Sequence, residues 1–222
     1  MEKIREIIGI NGFTLKWIAI ITMVIDHTGM MFFPYSSIPR IVGRMAFPIF
    51  CFLLVEGFLH THDRKKYALR LLLFAVVSEI PFDLAIYLSM GQTNYFAQQN
   101  VFFTLFLGLL LLILIERSPK VWWRMLMTVL VCLAAYFFMT DYNMMGVLLI
   151  LAFYVFQTSI LGKAASLAFL DWGMFGGIQN FAILSILPIW LYNGQRGPKM
   201  KYFFYVFYPA HLLLLCIIRI FI

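Results

Sequence analysis

Asp26, His27 and Thr28 stand in a row inside an apolar stretch that runs from Trp17 to Phe33. Three more apolar runs carry embedded groups of the same kind: Arg44 and Glu56, then Glu79 and Asp83, and last Tyr205, Tyr208, Pro209 and His211. A charge in hydrocarbon costs a few kcal/mol on insertion scales, so each such group needs a partner or a task. His27 is the best suited to a task, because a neutral imidazole near its ordinary pKa of ~6.5 is the usual general base. Asp26 need not orient it, since neighbours at i and i+1 on a helix do not share a face. Either another run supplies the partner of His27 or the helix is distorted there. Tyr208 and His211 are three apart and do share a face, and Pro209 between them frees the Tyr205 carbonyl. The plainer alternatives are a hydrogen-bonded structural His27, a solvated Asp83, an Arg44 that only pairs with Asp26, and a Glu56–Arg70 ion pair between two helices.

These residues are positioned by a chain that is almost wholly apolar. Of its 222 residues 63% are hydrophobic and 12% charged, and the mean hydropathy is +0.91. A soluble domain and a disordered segment both need more polar groups than that. At about 20 apolar residues per crossing, the length admits about eight or nine spans and no separate soluble domain. The reading is an all-α, polytopic transmembrane helical bundle, one domain over residues 1–222. Spans are expected near Phe13–Phe33, Ile41–Thr61, Tyr67–Leu88, Val101–Ile115, Val121–Met139, Met145–Leu161 and Tyr202–Phe221. Residues 164–192 hold Asp171, a Gly173–Gly177 stretch and Pro188, and are too short for two full spans at ~1.5 Å per residue. They read as a broken or re-entrant helix pair interrupted at the glycines, which is tolerated at that depth only when buried or lining a wet cavity.

The net charge of +7 follows the positive-inside rule and gives no reason to expect nucleic acid. Lys3, Arg5, Lys16, Arg64, Lys65, Lys66, Arg117, Lys120, Arg124, Lys163, Arg196, Lys199 and Lys201 fall at alternate loops, which are therefore cytoplasmic, with the N-terminus inside. Loops 34–39, 89–100 and 140–143 carry no Lys or Arg, although Arg40 directly follows the first. Cys51, Cys132 and Cys216 match no zinc or haem spacing, and no metal is expected. Folding the hairpins on paper sets His27 level with Arg44. It gives an outer polar layer of Asp26, His27, Arg44, Glu79 and Asp83, and an inner one of Glu56, His60 and Arg70.

Several ordered segments resemble the TraX family. They are Leu15–Ala19 with Met23–His27, Gly43–Phe50, Glu56–Phe58 with His60, Tyr67 with Arg70, Glu79–Asp83, Gln99–Leu105 and Tyr205–Leu212; the likeness is weakest between Trp122 and Gly194. The resemblance implies a multi-pass bacterial inner-membrane N-acetyltransferase, the namesake being tied to conjugation and to acetylation of a pilus subunit's amino terminus. It is similar in kind to wider transmembrane acyltransferases, in which acetyl-CoA arrives from the cytosol and an intramembrane histidine serves the transfer. On that analogy His27 carries the chemistry, with Asp26, Arg44 and His211 as site partners.

The function expected is transfer of acetyl from acetyl-CoA to an amine or hydroxyl, a protein N-terminus being one candidate acceptor, with membrane lipids as surroundings. His27 would deprotonate the acceptor or form an acetyl-imidazole. Arg44, Asn100 or Thr104 would supply donors to the thioester oxygen, and Glu56, Glu79, Asp83, Tyr205 and Tyr208 would support the site. At ~1.5 Å per residue, His27 lies roughly 21 Å from the inner end of its span, within reach of an extended pantetheine arm. Lys16, His60, Arg64 and Arg70 are then the expected phosphate contacts of a cytosol-open tunnel. A proton-coupled transporter of small molecules or lipids is the alternative that the same embedded charges would suit.

Overall fold

The computed structural model describes residues 8–91 and 98–222, and every element among them is helical. The N-terminal charges Lys3 and Arg5 and the centre of the loop at residues 92–97 lie outside the described residues. Helix α1 is Gly12–Phe32, started by Asn11, whose side chain accepts from the Thr14 N–H at 2.9 Å. Then come α2 (Ile38–Gly43), α3 (Ala46–His60), α4 (Arg64–Met90), α5 (Val101–Arg117), α6 (Val121–Phe137), α7 (Asn143–Val155) and α8 (Ile160–Leu170). A π-helical turn, Asp171–Phe175, a 3-10 stretch, Gly177–Ser185, the short α9 (Ile186–Trp190) and α10 (Lys201–Phe221) complete the chain.

Four stretches are long and apolar enough to cross a membrane: Gly12–Phe32, Ile38–His60, Arg64–Met90 and Tyr202–Phe221. This is a membrane protein. The chain runs back and forth between two poles. At the basic pole the Ile10 N–H donates to Leu191 O (2.9 Å), the Asn193 N–H to Ile10 O (3.0 Å), and Arg64 pairs with Glu116. At the opposite pole the Gln99 N–H donates to Met139 O (3.0 Å) and Gln98 to Asp141 (3.0 Å). Helix α10 packs on α4 and α1, while α5 packs against α3, α4, α6 and α7 around a core that includes Leu109, Leu112, Ile150 and Phe153. The outward faces of α6 and α10 stay apolar and exposed, and Trp122 stacks on Trp123 at the basic end of α6.

Two breaks differ from the expected spans. The run Ile41–Thr61 is not one helix: it opens at Arg44–Met45 between α2 and α3. Pro48 explains this, since it has no N–H for the Arg44 carbonyl and its ring crowds that oxygen. The run Met145–Leu161 ends early, at Val155, and α8 begins after the Ser159 cap, whose hydroxyl accepts from the Gly162 N–H at 3.0 Å. The expected interruption inside 164–192 is present. The π turn stops at Gly176 and Gly177, whose φ of 66° and 58° suits residues without a Cβ.

Gly43 controls how closely α2 crosses α1. A Cβ there would lie 2.2 Å from Asp26 Cβ, well inside van der Waals contact. Gly43→Ala is therefore expected to cost about 1–3 kcal/mol by overpacking. Thermal unfolding in detergent would show this as a Tm several degrees lower, and an unchanged Tm would refute the close approach.

Candidate active site

The partner of His27 comes from the last helix. His27 Nδ1 and His211 Nε2 are 2.8 Å apart, across 184 residues of sequence. His211, 6% exposed, has its own Nδ1 2.9 Å from the Phe207 carbonyl one turn earlier in α10. A carbonyl only accepts, so the neutral His211 carries its proton on Nδ1 and presents a lone pair at Nε2. His27 must then hold its proton on Nδ1 to donate to that lone pair. The assignment leaves His27 Nε2 without a proton, as a base requires. The rings of His27 and Tyr208 are 6.2 Å apart, and those of Tyr208 and His211 5.6 Å.

Asp26 turns the other way. Arg44 Nη2 donates to both of its oxygens at 2.6 Å, and Arg40 Nη1 donates to Oδ2 at 2.8 Å. Arg44 also donates from Nε to the Arg40 carbonyl (3.1 Å) and from Nη1 to Gln179 Oε1 (3.3 Å). Gln179 in turn lies beside Asp171, which is 3% exposed. One carboxylate between two guanidinium groups thus fastens α1 to α2 and, through Gln179, to the 3-10 stretch. Forked contacts of this kind are what arginine provides and lysine does not.

A cavity of about 170 Å³ opens between these groups. Asp26, His27, Arg40 and Arg44 line it, together with Tyr208, Val101 and an apolar wall that includes Met23, Phe47, Phe50 and Phe82. Gln98, Asp141 and Tyr142 close it toward the pole opposite the basic charges. Tyr142 stacks on Phe47 with ring centroids 3.5 Å apart. Asp141 lies in the turn between α6 and α7, where burial pushes its carboxyl up to about 6 against the pull of Arg44 and Arg40. A base beside a small pocket of mixed polar and apolar lining suits proton removal from a compact nucleophile.

The other expected site residues are dispersed. Glu79 hydrogen-bonds the Asn100 amide, which also donates to the Ala75 carbonyl at 2.8 Å. Asp83 lies beside Glu79 on α4. Thr104 is fully buried and accepts from the Tyr142 N–H at 3.5 Å. Neither Asn100 nor Thr104 lines the cavity, so neither is placed to serve the thioester oxygen there. Tyr205 stacks on Phe74 (5.1 Å) and lies beside Arg70.

The Glu56–Arg70 pair does not form. Glu56 faces Tyr192 and His60, with His60 Nδ1 3.8 Å from its carboxylate, whereas Arg70 lies over the Tyr67 ring and against Tyr205. Lys16 sits 5.3 Å from the Phe204 ring centroid. Arg64 pairs with Glu116 and lies over Phe58, and His60 Nδ1 meets the Glu56 carbonyl at 2.9 Å. A second cavity of about 620 Å³ at the basic pole is lined by Glu56, Lys163, Tyr192 and Asn193 among others. Lys16, His60, Arg64 and Arg70 line neither cavity. Conversely, sequence reasoning missed Arg40, Gln179, Asp141 and Tyr142. Arg40 had left a trace, as the basic residue directly after an otherwise uncharged loop.

The family described as TraX protein matches residues 11–219 of this chain. A probable fimbrial assembly protein, FimC of serogroup H1, from Dichelobacter nodosus is 33% identical over 244 residues, covering 97% of this chain and 98% of its own length. An uncharacterized protein from Rickettsia prowazekii (strain Madrid E) is 39% identical over 66 residues, 30% of this chain and 25% of that protein. No solved structure matches significantly.

Proposed function

The chain belongs to the TraX family, and on that basis we propose that it is an acetyl-CoA-dependent acyltransferase of the bacterial inner membrane. His27 Nε2 takes the proton from an amine acceptor as the amine attacks the acetyl thioester. The carrying observation is the relay from the Phe207 carbonyl through His211 to His27 Nδ1, which leaves a proton-free nitrogen on the wall of a small cavity. The name of the Dichelobacter relative, a fimbrial assembly protein, supports a protein amino terminus as the acceptor.

The proposed topology places the N-terminus and the basic pole in the cytoplasm. The shorter helices then complete eight or nine crossings or half-crossings. The acceptor approaches through the Gln98–Asp141 side of the cavity. The donor's phosphates stay on the cytoplasmic side. Of the four cations expected there, Arg64 pairs with Glu116, Arg70 lies beside Tyr205 and His60 meets Glu56, so Lys16 is the better phosphate contact.

The test is transfer of labelled acetyl from acetyl-CoA to a short peptide with a free α-amine, using the full chain in lipid nanodiscs. Label on the peptide with an equal yield of free thiol is expected. Absence of transfer, with no stabilisation of the protein by acetyl-CoA, would refute the proposal.

A further inference from the structure

We propose that the Tyr208 hydroxyl is the donor that stabilises the oxyanion during transfer, an assignment that rests on the acyltransferase reading above. Tyr208 is 4% exposed, lines the cavity with His27, and sits one turn before His211 on α10. The backbone N–H of Val101 faces its hydroxyl. Val101 is the first residue of α5 and also lines the cavity.

The first N–H groups of a helix have no partner within it. In α5 the Phe102 N–H is taken by the Asn100 side chain (3.1 Å) and the Phe103 N–H by the Asn100 carbonyl (3.0 Å). The Val101 N–H has no partner inside the helix and faces the Tyr208 hydroxyl. A phenol oxygen has two acceptor positions and one proton to give. With the positive end of a 17-residue helix beside its oxygen, the hydroxyl sits in a field that favours negative charge close to it. Of the arginines on the cavity wall, Arg44 is engaged by Asp26, the Arg40 carbonyl and Gln179, and Arg40 is drawn to Asp26.

In the step this implies, the amine nitrogen pair attacks the thioester carbonyl carbon and the carbonyl π pair moves onto oxygen. His27 Nε2 takes the proton that the nitrogen must lose. The Tyr208 O–H donates to the oxyanion without giving up its proton. Collapse re-forms C=O, breaks the C–S bond, and expels a thiolate that receives the proton from His27. The products are the amide and free CoA.

The alternative role for this hydroxyl is to cap α5, and the two roles separate by measurement. Tyr208→Phe keeps the ring and removes only the donor. With acetyl-CoA and the α-amine peptide as substrates, its kcat should fall about 10²–10³-fold, the usual cost of one lost oxyanion donor. The KM for each substrate should stay within about threefold of wild type, because the contact forms only in the transition state. Incorporation of 3-fluorotyrosine at position 208, which keeps the O–H, should restore kcat. A Tyr208→Phe chain with a lowered Tm and wild-type kcat would overturn the assignment and leave the acyltransferase reading standing. Failure of 3-fluorotyrosine to restore kcat would overturn it as well. A wild-type chain that releases no thiol would overturn both.

Discussion

His27→Ala is expected to lower acetyl transfer about 10²–10⁴-fold, the contribution of a positioned general base, while the protein still folds. His27 is half-buried on a cavity wall rather than sealed in the core. Water can therefore enter beside the truncated side chain and satisfy His211 Nε2. His211→Ala should lose less, because His211 does not line the cavity and acts by holding the tautomer and orientation of His27. The double variant should be no slower than His27→Ala, since residues acting as a unit do not contribute additively. Steady-state transfer by the three variants, alongside their thermal unfolding, checks this. A His27→Ala chain within about tenfold of wild type would remove the base from His27. A double variant far slower than His27→Ala would give His211 an independent role. Collapse of the fold in His27→Ala would make His27 structural.

What was legible in the sequence follows from what one dimension records. A polar group inside an apolar run is conspicuous because its burial is costly, so Asp26, His27, Arg44 and His211 stood out. Hairpin counting also gave their level: Asp26 and Arg44 do meet, at 2.6 Å. Counting gives height along a helix and not rotation about it, which is why Glu56 and Arg70 were matched although one faces Tyr192 and the other Tyr205. A partner to His27 from another span was one of two alternatives legible there, the other being a distorted helix. Its identity lay 184 residues away, and no local spacing encodes that. Gln179 is an uncharged amide in an apolar stretch and raised no alarm. The break at Arg44–Met45 was within reach, because Pro48 is in plain view and a proline removes the hydrogen bond to the fourth residue before it. The glycines at 176 and 177 were read correctly for the same kind of reason, since only backbone freedom is at stake there.

The largest effect on stability should come from Asp26→Ala, about 3–5 kcal/mol, the usual consequence of leaving buried charge unpaired. Asp26 is 8% exposed and holds two cations, and the side chain of Arg44 is only 13% exposed. Without the carboxylate, the two guanidinium groups carried by α2 and its C-cap lie side by side against α1 with nothing to neutralise them. The loss should also loosen Gln179 and the 3-10 stretch behind it, because Arg44 Nη1 reaches that segment. The cost lies in the abandoned charges more than in the missing bonds, and this is testable. Adding Arg40→Met and Arg44→Met to Asp26→Ala should recover much of the lost stability, because apolar groups of similar volume often replace a buried ion cluster at little cost. Tm values of the single and triple variants in one detergent decide it. An Asp26→Ala chain within a degree or two of wild type would mean the arginines find water or Asp141 instead. A triple variant less stable than the single would mean that the arginines contribute through contacts other than their charge. Arg44→Lys gives an intermediate case: it keeps the charge at Asp26 but loses the fork to Gln179 and the Arg40 carbonyl, so it should lie between wild type and Asp26→Ala.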